Sequence, residues 1–265
     1  MTATTSTFSS TLFNGQRALV IGVANERSLA WAIARNLHAA GCTDLAFTFQ
    51  GEALERRVRP LAESVGSTFV ESCDVAKDSD LDRVFGLVRD RWGRLDILIH
   101  AVAFANRADL EGRYVDTDRE GFRLAMDISA YSLVACAKRA ESLMETGGSI
   151  LTLSYYGAEK VIPNYNVMGV AKAALEASVR YLANDLGPKK IRVNALSAGP
   201  VKTLAAAGIR NFRDMLHTAE QKNPLRENIS SEDVGTFGTY VCSPAGRHIT
   251  GTVLHVDSGA HIMGA

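Results

Sequence analysis

Arg17-Ala18-Leu19-Val20-Ile21-Gly22-Val23-Ala24-Asn25-Glu26-Arg27-Ser28-Leu29-Ala30 decides the fold. A short β-rich run from Arg17 to Gly22 passes through a polar loop into a helical pattern from Leu29 to Ala40. A strand that feeds a helix through a short loop is the repeating unit of a parallel sheet.

The same alternation continues along the chain. Strands are expected at Asp44 to Phe49, Thr68 to Cys73, Leu95 to His100, Gly148 to Leu153, Arg192 to Ser197 and Val253 to Val256. Between them, helices are expected at Glu52 to Ser64, Ser79 to Trp92, Arg119 to Glu145, Pro163 to Asn184 and Glu232 to Cys242. These elements predict one α/β domain of Rossmann type, a doubly wound, seven-stranded parallel sheet with helices on both faces. The domain is expected to span residues 15–265, after a flexible Ser/Thr-rich N-terminal tail at 1–14. Val201 to Ser231 is the longest stretch without a clear strand. It reads as an insertion of one or two short helices, and about 201–222 is a candidate substrate lid.

With 265 residues and 46% apolar composition, the chain can bury a sizeable core. Its 29 basic and 29 acidic residues cancel, which argues against a dedicated nucleic-acid binder. Cys42, Cys73, Cys136 and Cys242 form no CxxC pair, so neither a disulfide framework nor a metal site is expected, and a reducing cytoplasm fits best. No apolar run has the length of a membrane span, and the first residues lack the apolar core of a signal peptide.

The strand ends carry the candidate binding groups. After the first strand, Gly22 permits close backbone approach, and Ser28 either caps the helix or contacts a phosphate at its N-terminus. The GxGxxG pattern is absent, so this loop alone also fits a plain strand-to-helix turn. Strand two ends at Gln50, strand three at Asp74-Val75, and strand six runs into Gly199-Pro200-Val201-Lys202-Thr203. Four strand ends with small or polar groups on one carboxyl edge point to a dinucleotide site, because ligands of open α/β sheets bind there.

Leu153-Ser154-Tyr155-Tyr156, Pro163-Asn164-Tyr165 and Lys172 set two tyrosines and a lysine around a strand-to-helix junction. Seven helical residues turn through about 700°, so Tyr165 and Lys172 are expected on one face, about 10 Å apart along the axis. An ammonium beside a phenol is expected to bring its pKa down toward the working range.

Taken together, Gly22-x5-Ser28, Phe47-Thr48-Phe49-Gln50, Cys73-Asp74-Val75, Leu153 to Glu159, Ile162 to Gly169 and Ser197-Ala198-Gly199-Pro200 resemble the NADH-dependent enoyl-acyl-carrier-protein reductases of bacterial fatty-acid synthesis. The resemblance runs from about Leu12 to the C-terminus. That family is a divergent branch of the short-chain dehydrogenase/reductases, marked by Tyr-x6-Lys where ordinary relatives carry Tyr-x3-Lys; here position 169 is glycine and Lys172 supplies the longer spacing.

The resemblance implies hydride transfer from NADH to C3 of a trans-2-enoyl thioester. It makes Tyr155, Tyr165 and Lys172 the catalytic candidates, with Lys172 on the nicotinamide ribose and Tyr165 on the thioester oxygen. Tyr155 keeps two readings, assistance to the acyl group or packing at the end of strand five, and Tyr156 is assigned no chemistry. Implied cofactor contacts are Gly22, Ser28 and Leu29 at the pyrophosphate, Gln50 at the adenosine ribose, Asp74 and Val75 at adenine, and Val102 beside nicotinamide. Val201, Lys202, Thr203, Leu204 and Ala205 would close over the carboxamide, and Ala105 would join the two tyrosines at the substrate.

Gln50 offers no cation to a 2′-phosphate, and the next basic residues are Arg56 and Arg57, which favours NADH over NADPH. Three positions depart from the family pattern: Ala103 where glycine is common, Lys202 where arginine is common, and Asp214 beside Arg210 and Arg213 on a basic lid that would meet an acidic carrier protein. The family also implies a homotetramer, consistent with the apolar and small residues Ile128, Tyr131, Val134, Ala135, Ala173, Ala174, Ala177 and Tyr181 on two long helices. Two other readings remain at this stage: a non-catalytic sensor of NADH, and a reductase of ketones or free enones.

Overall fold

The computed structural model describes residues 7–203 and 212–264, with residues 212–215 described by backbone alone. Seven strands form its sheet: β1 Arg17–Ile21, β2 Asp44–Phe49, β3 Phe69–Ser72, β4 Ile97–His100, β5 Gly148–Ser154, β6 Ile191–Ala198 and β7 Val253–Val256. Every pairing is parallel, in the order β3-β2-β1-β4-β5-β6-β7. The chain winds outward in one direction from β1 and in the other from β4. The crevice at that reversal lies at the carboxyl ends of the strands, where such sheets bind ligands.

The helices are α1 Leu29–Ala39, α2 Glu52–Ser64, α3 Asp78–Trp92, α4 Arg107–Leu110, α5 Arg119–Met126, α6 Ser132–Glu141, α7 Asn166–Leu186, α8 Phe212–Lys222 and α9 Ser231–Cys242. They cover both faces of the sheet. Leu19, Leu81, Val84, Leu133, Leu175 and Val193 belong to the core on the side of α3, α6 and α7. Val20, Ile33, Leu37, Phe47, Leu151 and Val234 belong to the core on the side of α1 and α9. Because central parallel strands are buried on both faces, they read as continuous apolar runs such as Ala18-Leu19-Val20-Ile21.

Three expectations change. The single helix foreseen from Arg119 to Glu145 is broken by a π-helical turn, Asp127–Tyr131, between α5 and α6. Such a turn inserts an extra residue and frequently re-aims side chains at functional sites; here it carries Ser129. The helix foreseen from Pro163 instead begins at Asn166. Asn164 and Asn166 hold positive φ values of 61° and 36° around Tyr165, backbone that asparagine tolerates better than most side chains. Finally, part of the expected tail is packed: Phe13 is 0% exposed, lies in the α1-side core, and its N–H donates to Ala40 O at 3.0 Å. Short α4 carried no sequence signal. In the foreseen helical insertion, α8 is the helix the structure describes.

Candidate active site

The end of β1 is held by backbone geometry. Gly22 has φ +109°, and a Cβ there would stand 2.2 Å from Ala101 O, so glycine is required for β1 and the end of β4 to come together. The close approach foreseen at Gly22 is thus to Ala101. Ser28 is buried, and its Oγ accepts from the N–H groups of Ala24 and Asn25, both at 3.0 Å. It therefore ties the loop on itself and does not cap α1, whose first turn has no side-chain cap. Uncapped N–H groups at a helix start are the donors an anionic group meets.

Beside this loop a cavity of about 580 Å³ opens at the carboxyl ends of β4, β5 and β6 and reaches Leu29 at the start of α1. Among the foreseen residues, Leu29, Val102, Ala105, Tyr155, Tyr165, Lys172, Val201 and Thr203 line it. Gly22, Ser28, Gln50, Asp74, Val75 and Lys202 do not. Gln50 is exposed after β2, and Asp74 and Val75 are half-buried after β3. Asp74 Oδ1 accepts from Ala76 N at 3.1 Å, and Lys77 lies 3.6 Å from Oδ2. Lys202 is exposed. Leu204, Ala205 and Arg210 fall outside the described residues, and nothing is described of the Arg213 and Asp214 side chains. Ala103 lines the cavity and is exposed, so its methyl is not turned into the sheet.

Tyr165 stands at the N-cap of α7, with φ −115° and ψ −29°. Its ring meets that of Tyr155 edge-on, centroids 5.0 Å apart at 75°. A third residue sets this geometry: a Cβ at Gly157 would lie 2.4 Å from Tyr165 Cδ1, so glycine makes room for the ring. Gly169 completes the fit, because a Cβ there would lie 2.7 Å from Gly157 O. Tyr156 turns away and donates its hydroxyl to His261 O at 2.9 Å, a structural role.

Burial pushes the Tyr165 phenol up, with Tyr155 and Glu176 adding to the shift, and burial pushes Tyr155 up as well. The expected lowering of Tyr165 by Lys172 is therefore overturned. Tyr165 remains a neutral hydrogen-bond donor throughout the working range. Lys172 moves the other way: burial lowers it to about 8, against the opposing field of Glu176. Its Nζ donates to Leu153 O at 2.7 Å.

Two further side chains, unassigned in the sequence reading, frame the cavity. Ser129, from the π-helical turn, accepts from Phe104 N at 2.9 Å and donates to Phe104 O at 3.1 Å, fixing the loop that carries Ala103 and Ala105. His100, at the end of β4, is wholly buried; its Nδ1 pairs with Thr152 Oγ1 at 3.0 Å and its Nε2 with Ser132 Oγ at 2.8 Å. Burial, and then Lys172, lowers it to about 3, so it is a neutral strut. A polar residue closing an apolar strand, Ile97-Leu98-Ile99-His100, was the available signal. No cluster of metal-ligating side chains occurs among the described residues. The open start of α1, the apolar crevice and the buried ammonium of Lys172 together suit a dinucleotide.

The comparisons agree with this geometry. Residues 22–261 match the family model described as enoyl-(acyl carrier protein) reductase. The chain is 54% identical over 253 residues to enoyl-acyl-carrier-protein reductase (NADH) 1 of Rhizobium meliloti, covering 96% of this chain and 93% of that one. It is 51% identical to the NADH enzyme FabI of Aquifex aeolicus, covering 96% and 94%. Among solved structures, the enoyl-acyl-carrier-protein reductase of Bacillus cereus with NADP+ and indole naphthyridinone superposes with a TM-score of 0.93 at 51% identity, covering 96% and 99% of the chains. The Anaplasma phagocytophilum reductase in complex with NAD gives 0.92 at 51%, covering 96% and 97%. A tyrosine pair and a buried lysine around one crevice of a seven-stranded parallel sheet, with half the sequence shared, place this chain in the enoyl-acyl-carrier-protein reductase family.

Proposed function

We propose that the protein reduces the trans-2 double bond of enoyl thioesters carried on acyl-carrier protein, the last step of the fatty-acid elongation cycle, with NADH as reductant. One observation carries the reading: Tyr155, Tyr165 and Lys172 share the wall of one cavity, with the tyrosine-to-lysine spacing of the family.

NADH supplies a hydride for C3 of the enoyl group. Negative charge then develops on the thioester oxygen, and Tyr165 donates its neutral hydroxyl to that oxygen before C2 takes a proton. A preorganised donor of this kind is worth about 10²- to 10³-fold in rate. Lys172 holds the ribose hydroxyls of the nicotinamide half. Gly22, Ser28 and Leu29 would shape the pyrophosphate end, Gln50 would meet the adenosine ribose, Asp74 and Val75 would meet adenine, and Val102 with Val201, Lys202 and Thr203 would enclose the carboxamide; the further contacts expected of Leu204 and Ala205 lie outside the described residues. Ala105, Tyr155 and Tyr165 meet the acyl group.

Absorbance of NADH followed with crotonyl thioester tests the activity. Oxidation is expected with the enoyl thioester; consumption only with ketones would reassign the enzyme. Running the assay with NADPH in parallel tests the choice inferred from Gln50, the Bacillus cereus relative having been solved with NADP+.

The assembly proposed is a homotetramer. Phe122, Tyr131 and Tyr181 are exposed on α5, the π-helical turn and α7, and Met126, Val134 and Ala174 line an adjoining groove, apolar surface of a kind that marks interfaces. Light scattering giving a monomer at micromolar concentration would reject it. Residues 201–222 are proposed as the lid, since Val201 and Thr203 already form cavity wall. Hydrogen exchange there should slow when NAD and an acyl ligand bind, and equal exchange in both states rejects the lid.

A further inference from the structure

Two polar bonds fasten α7 to the last residues of β5. Lys172 Nζ donates to Leu153 O at 2.7 Å, and Ser154 Oγ donates to Glu176 Oε1 at 2.5 Å. Leu153 and Ser154 immediately precede Tyr155. Lys172 and Glu176 lie one turn apart, so they leave the same face of α7, and they are only 6% and 7% exposed.

A carboxylate withdrawn from water is costly unless it is hydrogen-bonded and faces positive charge. Glu176 has both. Ser154 supplies the hydrogen bond, and the field of Glu176 raises Lys172; burial, and then Glu159, push the Glu176 carboxyl up, while Ser154, His255 and Arg180 hold it down. The other charged or titratable groups around the pair are Glu159, Arg180 and His255 near Glu176, and the neutral His100 near Lys172. Tyr155 and Tyr165 complete the surroundings from the cavity side. If packing were the only demand, a glutamine or leucine of similar volume would fill the space without the cost of burying a charge.

We propose that Glu176, anchored by Ser154, is a positioning residue of the active site: it keeps Lys172 charged and fixes the end of β5 so that Tyr155 meets Tyr165. An ammonium has three donors. One is committed to Leu153, and a charged Lys172 carries the others at the cavity wall. The catalytic consequence rests on the proposed reductase function, whereas the effect on the charge of Lys172 does not.

The ligand-free protein provides the first test. Lysine titrates at 10.5 ordinarily and Lys172 at about 8 in the folded protein. Between those values the unfolded chain holds the extra proton, so this residue makes stability rise as pH climbs from about 8 to about 10.5. Glu176→Gln keeps an acceptor for Ser154 but removes the charge, which lowers the folded value further. The rise in thermal midpoint should therefore begin roughly one pH unit lower than in wild type. Curves that stay parallel from about pH 6 to about pH 11 overturn the proposal, whatever their difference in height.

Should Glu176→Gln fail to fold, Glu176→Asp decides. Its shorter side chain keeps the charge but draws it away from Lys172, so an onset lowered by less than about one pH unit supports the proposal, and an onset at or above that of wild type overturns it. Ser154→Ala tests the anchor: kcat should fall about tenfold with the KM for NADH near wild type, and an unchanged kcat removes the positioning role. Absence of reductase activity in the wild type would refute the proposed function and leave the melting comparison standing.

Discussion

The two walls of the crevice are built by different means. At the β1–α1 loop, Gly22 packs against Ala101 and Ser28 binds its own loop, so the side chains are spent on holding backbone in place. At the β5–α7 junction, Tyr155, Tyr165 and Lys172 face the cavity, and their supports are a second set of residues: Gly157, Leu153, Ser154 and Glu176. One wall presents amide groups and the other presents side-chain chemistry. Substitutions in the first should therefore unfold the protein, while those in the second should leave a folded protein that works badly.

The largest expected effect is at Gly22. Gly22→Ala combines a positive φ with a Cβ 2.2 Å from a carbonyl oxygen; strain and overpacking each cost about 1 to 3 kcal/mol. A loss of about 3 kcal/mol or more in the denaturant midpoint analysis is expected, and a variant as stable as wild type would break the contrast between the walls.

Tyr165→Phe should fold normally and bind NADH as wild type does, while kcat falls about 10²-fold. Lys172→Ala should lose both binding and turnover. Fluorescence titration with NADH separates the two, and equal weakening in both variants would contradict their distinct roles.

A smaller effect is expected at Gly157→Ala, which must displace the Tyr165 ring from its present contact 2.4 Å from the new Cβ. We expect about a tenfold fall in kcat with the KM for NADH retained, since a misplaced donor loses part of the transition-state contact. An unaltered kcat would show that the ring tolerates the shift.

The smallest effect concerns Ala103, held on the cavity wall by the Ser129 clamp on Phe104. Ala103→Gly should tighten a compact aromatic inhibitor by about fivefold, the lower end of what relief of a methyl collision gives. The KM for a thin enoyl thioester should change less. An inhibition constant unmoved by the substitution would mean that the methyl restricts nothing.

Much of the architecture followed from sequence alone. Strand-and-helix alternation is a local signal, set by whether apolar residues repeat with strand or helix periods, and it placed β2, β7 and α2 at their observed bounds. The spacing of Tyr165 and Lys172, two turns along one side of the chain, together with the family resemblance, marked a candidate wall, and both residues line the cavity. Even there the local rule was incomplete: the positive φ values of Asn164 and Asn166 delay α7 and leave Tyr165 at its cap.

Tertiary structure decided the rest. Nothing local relates Gly22 to Ala101, Ser129 to Phe104, His100 to Ser132, or Ser154 to Glu176, since each pair meets only after the sheet and its helices have packed. The same packing reversed the expected behaviour of Tyr165: chain spacing placed an ammonium near a phenol, but the loss of water around the ring pushes its pKa upward. Periodicity along a chain specifies which elements form and which faces they bury. Desolvation and close contact depend on what lies across the sheet, and only the folded molecule brings those partners together.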